Sequence, residues 1–111
     1  MNQSSTSINQ AVTSMILTPM DVERLLHDDS PDSRASVLEK ITAGYNAENF
    51  GEREREIAEQ VFRLLMKDVA LRVRETLADR IKDNINVPRD IVLHMANDVE
   101  SVAVPVLIYS K

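Results

Sequence analysis

Two histidines are the residues in this chain best suited to holding a transition metal or moving a proton near neutral pH. His27 precedes Asp28 and Asp29, and His94 stands four residues from both Asp90 and Asp98. An imidazole flanked by carboxylates suggests zinc-type chemistry, which needs three or four ligands converging on one point. Asp90, His94 and Asp98 can share a helical face only where that face is polar. A solvated histidine near a helix end explains both positions without a ligand. Cysteine is absent and glycine occurs twice. That removes thiolate ligands, thiol nucleophiles, disulfides and a glycine-rich phosphate loop. No nucleophile elbow or serine–lysine pairing is present. The expected catalytic, metal and cofactor-binding residues are therefore none.

Phosphate is the other chemistry to weigh. Lys67, Arg72, Arg74, Arg80 and Lys82 form a basic cluster, but Asp68, Glu75, Asp79 and Asp83 are interleaved with it. Thirteen basic against eighteen acidic side chains leave a net charge of −5. Non-specific nucleic-acid affinity comes from neutralising phosphates, so this balance argues against a general polyphosphate binder.

These residues must be positioned by helices. Thr18-Pro19 and Ser30-Pro31 each place a hydroxyl at an N-cap and a proline at the first helical position, where the missing N–H costs nothing. The spacing predicts a first helix from about Pro19 to His27, burying Val22, Leu25 and Leu26. A second runs from Pro31 to about Ala43, burying Val37, Leu38 and Ile41, with Gly44 as its stop. A third opens near Gly51 or Glu52 and carries Ile57, Val61, Phe62, Leu64 and Leu65. Glu59 and Arg63, four apart, are expected to pair on its exposed face. A fourth spans about Leu71 to Lys82 with Val73, Leu77 and Ile81 in register. A fifth follows Pro88 and buries Ile91, Val92 and Met95, and a sixth starts near Val99 or Glu100. No alternating apolar–polar stretch competes for a strand, so the expected class is all-α. Residues 1–17 contain no charged side chain and read as a flexible polar arm, although Ile8, Val12, Met15 and Ile16 fall on one helical stripe. Residues 18–111 read as one domain.

An internal repeat emerges when three aspartates are aligned. Asp28, Asp68 and Asp98 lie forty and then thirty residues apart. Six positions after the aspartate stand Arg34, Arg74 and Val104, and nine after it stand Val37, Leu77 and Leu107. Three before it stand Leu25, Leu65 and Met95, and six before it Val22, Phe62 and Val92. The extra ten residues of the first interval fall between Ile41 and Gly51. Such a period belongs to stacked helical hairpins.

The segment Asp68-Val69-Ala70-Leu71-Arg72-Val73-Arg74-Glu75-Thr76-Leu77-Ala78 resembles the inter-helix turn and following helix of a HEAT-like repeat. In that pattern an aspartate caps the turn and a Val-Arg pair begins the packed stripe. Ser33-Arg34 replaces Val-Arg in the first unit, and Ala103-Val104 lacks the arginine in the third. Pro105 matches the kink that HEAT-type first helices often carry. Over most of residues 18–111 the chain is also similar to an uncharacterised alphaproteobacterial family of helical-repeat proteins, whose members are usually longer. The resemblance implies a HEAT-like α-solenoid of about six helices in the bacterial cytoplasm and no activity. It implies that Arg74 bonds neighbouring turns. HEAT-like metalloenzymes carry paired His-Glu motifs, and no glutamate follows His27 or His94. Phosphotransfer domains present a histidine followed closely by lysine or small residues, whereas Met95, a core position of the repeat, follows His94. Helical-repeat DNA glycosylases stack bases on aromatics, and here there are two Phe, two Tyr and no Trp.

The last helix breaks the amphipathic rule. Val102 to Tyr109 is an apolar run of eight residues, too short to span a bilayer, containing Pro105. A terminal repeat normally shows water a polar face. The leading explanation is that the chain is the N-terminal piece of a longer array; the second is a dimer face, the third an ordinary buried helix. The resulting expectation is a non-catalytic protein-interaction or self-association module. Val104, Leu107, Ile108 and Tyr109 form its main contact region, and Arg72, Arg80 and Arg89 a lesser basic edge. The partner is a protein or a second copy through the C-terminal helix; neither a membrane nor a cofactor is expected. A segment of a larger enzyme or regulatory protein is the alternative, and a nucleic-acid binder ranks last. Lacking a basic start and a continuous apolar stretch, the N-terminus is no secretory signal, and the chain reads as cytoplasmic.

Overall fold

The computed structural model describes residues 18–109, which form six α-helices and, among the described residues, no strand. They are α1 (Pro19–Leu26), α2 (Pro31–Asn46), α3 (Glu52–Leu65), α4 (Leu71–Ile81), α5 (Arg89–Ala96) and α6 (Glu100–Tyr109). The polar arm and its stripe of Ile8, Val12, Met15 and Ile16 lie outside the described residues, as does the expectation for the Leu26 side chain.

Local chemistry sets the helix starts. Thr18 Oγ1 accepts from the Asp21 N–H at 3.3 Å while Asp21 Oδ2 accepts from the Thr18 N–H at 3.0 Å, a reciprocal capping box. Ser30 Oγ accepts from the Ser33 N–H at 3.2 Å at the head of α2. Glu54 reaches back to the Gly51 N–H at 2.8 Å to begin α3.

The even-numbered helices form a row. The backbone of α2 packs mainly along α4, α4 continues onto α6, and α5 folds back on α6, while α3 lies against α2 and α4. Between these helices lies one core. Leu38, Ala58, Phe62, Val73, Leu77, Ala78, Ile91, Met95 and Val102 are completely buried. The smallest principal extent is 18 Å, about two helix diameters.

Three expectations need correcting. Gly44 does not stop α2, which runs on to Asn46. Its missing Cβ instead admits the Phe50 ring, whose Cε1 and Cζ lie 2.8 Å from where that atom would sit. The left-handed residue that turns the chain is Glu48, at φ 59°. Val37, expected in the core, is 36% exposed, and Leu64, on the apolar stripe of α3, is 45% exposed. Each sits at the margin of a helical stripe whose centre, Leu38 or Leu65, is buried. Glu59 does not pair with Arg63. Arg63 binds Asp90 of α5, and Glu59 faces Arg55 and Tyr45. A carboxylate on a neighbouring helix that accepts two bonds outcompetes a single contact one turn away.

Candidate functional site

The turn between α1 and α2 is made by Asp28, whose Oδ1 accepts from the Ser30 N–H at 3.0 Å. Asp68 does the same between α3 and α4, accepting from the Ala70 N–H at 2.9 Å, and Asp98 accepts from the Val99 N–H at 2.6 Å between α5 and α6. An arginine one helical turn into α2 and α4 then ties consecutive aspartates together. Arg34 Nη1 donates to the Asp28 carbonyl at 2.6 Å, while its Nε and Nη2 grip the Asp68 carboxylate, both at 2.9 Å. Arg74 repeats the arrangement: Nη1 donates to the Asp68 carbonyl at 2.8 Å, and Nε and Nη2 reach Asp98 at 2.8 and 3.3 Å. On α6 the corresponding residue is Val104, and the series stops.

These contacts set the electrostatics. Burial pushes the Asp68 carboxyl up, but the Arg34 fork, the Ala70 N–H and the charges of Arg34 and Arg74 more than offset it, so it lies below the ordinary value. Burial likewise raises Asp98, and Arg74, the Val99 N–H and the nearby His94 bring it below the ordinary value. Asp90 is lowered chiefly by its hydrogen bonds from Arg63. A pair gripped in this way is structural chemistry: each arginine spends three N–H donors on two turns, and each carboxylate takes two of them together with a backbone N–H.

The predicted contact residues separate into two groups. On α6, Val102, Ala103 and Val106 are buried, whereas Val104, Leu107 and Ile108 are 38%, 60% and 68% exposed. Offsets of three and four place the exposed three on one face. Tyr109 closes the helix, and the expectation for its side chain falls outside the described residues. The basic edge is partly neutralised: Arg72 pairs with Asp32 at 3.2 Å and Arg80 with Glu39 at 3.4 Å, both across from α4 to α2. Arg89 is exposed at the start of α5.

His27 Nδ1 lies 2.8 Å from the Glu23 carbonyl at the end of α1, and among the described residues no three His, Asp or Glu side chains are grouped to hold a metal ion. His94 is exposed and lines an open cleft of about 500 Å³ with Met66, Lys67, Asp68, Arg74, Asn97 and Asp98. The two carboxylates in it are already occupied by Arg34 and Arg74. Among the described residues, no helix is long and apolar enough to cross a membrane.

One polar cluster escaped the sequence reading. Tyr45, buried near the end of α2, donates its hydroxyl to Glu59 at 2.8 Å, with the Asn86 carbonyl oxygen 3.3 Å away. Its ring meets Phe62 edge-on at 5.0 Å, and the Arg55 guanidinium lies 5.1 Å from its centroid. Burial, reinforced by Glu59, pushes the phenol well above its ordinary value. Nearby, Asn46 joins α2 to the Arg80 carbonyl at 2.7 Å and accepts from Asn84 at the same distance. Isolated polar residues of this kind carry no spacing pattern, so nothing in the sequence announces them.

Comparison of the chain with protein-family models, with curated proteins and with solved structures gives no match.

Proposed function

We propose that this chain is a HEAT-like stack of three helical hairpins working as a non-catalytic protein-interaction or self-association module, with α6 as its principal contact surface. The observation that carries the reading is the exposed stripe of Val104, Leu107 and Ile108 on the last helix of the row. One unit earlier, Leu77 and Ala78 occupy the offsets of Leu107 and Ile108 and are wholly buried. Apolar side chains that are core in one unit and bare in the next suit a surface awaiting another layer. The twice-used Asp–Arg contact and the row of α2, α4 and α6 support the stacking. Rigid hairpins hold side chains in place before a partner arrives, which lowers the entropic cost of binding. Arg72, Arg80 and Arg89 form a lesser edge, because two of them must leave an acidic neighbour to engage anything else.

A photo-crosslinking residue placed at Leu107 and, in a second variant, at Ser36 on the exposed side of α2 tests this in cells. The reading expects a defined adduct from position 107 and none from position 36. No adduct from position 107 overturns it.

A further inference from the structure

We propose that the occupant of the α6 face is the α6 face of a second copy, the two helices crossing antiparallel about a twofold axis. This rests on the reading of α6 as a contact surface and names what covers it.

The Asp–Arg contacts dictate which surfaces fit. Each arginine six residues beyond a turn aspartate reaches forward to the next turn's carboxylate, Arg34 to Asp68 and Arg74 to Asp98. Another aspartate-led hairpin laid on α6 would bring its carboxylate to Val104, which offers no donor. The first hairpin of this same chain is such a unit, with Asp28 at its turn and exposed Asp29 beside it. Head-to-tail stacking of copies therefore presses an acidic turn onto an apolar helix, and the anions lose water without gaining a partner.

The α6 face is complementary to itself. Its exposed residues are Glu100, Ser101, Val104, Leu107 and Ile108, so nothing beyond its first residue carries charge. A twofold axis across the helix packs the stripe of Val104, Leu107 and Ile108 against the same stripe of the second copy, each residue i meeting a residue j that meets i in return and only the residue nearest the axis meeting its own equivalent, in a closed isologous contact. The antiparallel crossing separates the two Glu100 carboxylates and opposes the helix dipoles, whereas a parallel pair would bring both like ends together. Each copy carries −5, so the apolar contact forms against net repulsion. Added salt screens that repulsion and strengthens the association. Docking on the basic edge has the opposite salt dependence.

The chain has no cysteine, so one introduced thiol reports geometry directly. Val104→Cys, Leu107→Cys and Ile108→Cys are made singly, with Val37→Cys on α2 as the comparison. Under mild oxidation a twofold contact yields a covalent homodimer from at least one α6 variant alone and none from Val37→Cys alone. Sedimentation velocity of the unmodified chain shows a monomer–dimer equilibrium that moves toward dimer with concentration and with salt. Leu107→Glu remains monomeric with an unchanged helical circular-dichroism spectrum. A disulfide that forms only when an α6 variant is mixed with Val37→Cys establishes head-to-tail stacking and overturns the proposal. A strict monomer with no covalent dimer overturns it as well. If position 107 still cross-links in cells, to a chain of different mass, the interaction reading survives that loss; if it cross-links to nothing, both fall.

Discussion

Arg34 and Asp68 stand thirty-four residues apart, and the guanidinium of one holds the carboxylate of the other through two parallel bonds of 2.9 Å. The arginine side chain is 11% exposed and the aspartate 7%, so the pair sits largely out of solvent. Its third bond, to the Asp28 carbonyl, makes Arg34 the common tie of two turns.

Removing one member strands the other. Arg34→Ala leaves the Asp68 carboxylate with the Ala70 N–H alone and takes the arginine donor from the Asp28 carbonyl, and should cost about 2–3 kcal/mol of unfolding free energy. Arg74→Ala, whose pair is slightly more open at 18% and 13%, should cost somewhat less. Arg34→Lys keeps the charge but cannot supply the planar fork, so it should recover less than half of the loss. Urea midpoints of the three variants, with a double-mutant cycle through Asp68→Asn, measure these differences.

Acid should act through the same carboxylates. Asp68 and Asp98 are held below their ordinary value in the folded chain, and in the unfolded chain they return to about 4. A depressed folded value means that the unfolded state takes up protons first as pH falls. The stability they contribute is thus fully present above about pH 5 and is lost progressively below about pH 4, as pH drops through the folded values. Urea midpoints between pH 7 and pH 3 should show a plateau and then a fall. Asp68→Asn should flatten that fall; equal steepness in variant and parent would deny Asp68 any part in it.

The parts legible in the sequence were those fixed by near neighbours or constant offsets. Thr18-Pro19 and Ser30-Pro31 announce helix starts because capping is settled within four residues, and both caps are present. Arg34 and Arg74 could be singled out because each follows its aspartate by six positions, and the contacts of both repeat that regularity. Gly44 misled because its role is steric. It clears space for Phe50 within a continuing helix, and the turn falls to Glu48, a residue with no turn preference to read. Arg63 misled for a different reason: its partner, Asp90, lies twenty-seven residues away on α5, and only the folded chain brings the two together. At the candidate site, periodicity pointed to α6 but could not divide buried Val102, Ala103 and Val106 from exposed Val104, Leu107 and Ile108. Nearly every position in that helix is apolar.

Tyr45 provides a spectroscopic check on the core. Tyr45→Phe removes the hydroxyl that Glu59 accepts at 2.8 Å and should cost about 1–2 kcal/mol. Only two tyrosines occur, so Tyr109→Phe leaves Tyr45 as the single phenol. Its tyrosinate absorbance in that background should rise only well above pH 10, the ordinary midpoint being about 10. A rise at the ordinary midpoint would mean that the phenol is solvated and the Glu59 contact is not formed.

Leu77 and Leu107 occupy the same offset from Asp68 and Asp98, yet one is completely buried and the other 60% exposed. Truncation should therefore separate them sharply. Leu77→Ala opens a cavity between α4 and its neighbours and should cost about 3–4 kcal/mol at any protein concentration. Leu107→Ala removes a mostly hydrated side chain and should change the stability of dilute protein by less than about 0.5 kcal/mol. If the α6 face is covered by a partner, that small value holds only in dilute solution. With a second copy as the partner, the melting temperature of the parent chain rises with concentration while that of Leu107→Ala rises less. Calorimetry of both variants and the parent across a hundredfold range of concentration, on the order of the span over which mass action shifts stability by about 2.7 kcal/mol, distinguishes a core leucine from an interface leucine. A concentration-independent difference at Leu107 as large as that at Leu77 would place Leu107 in the core and remove the free face from α6.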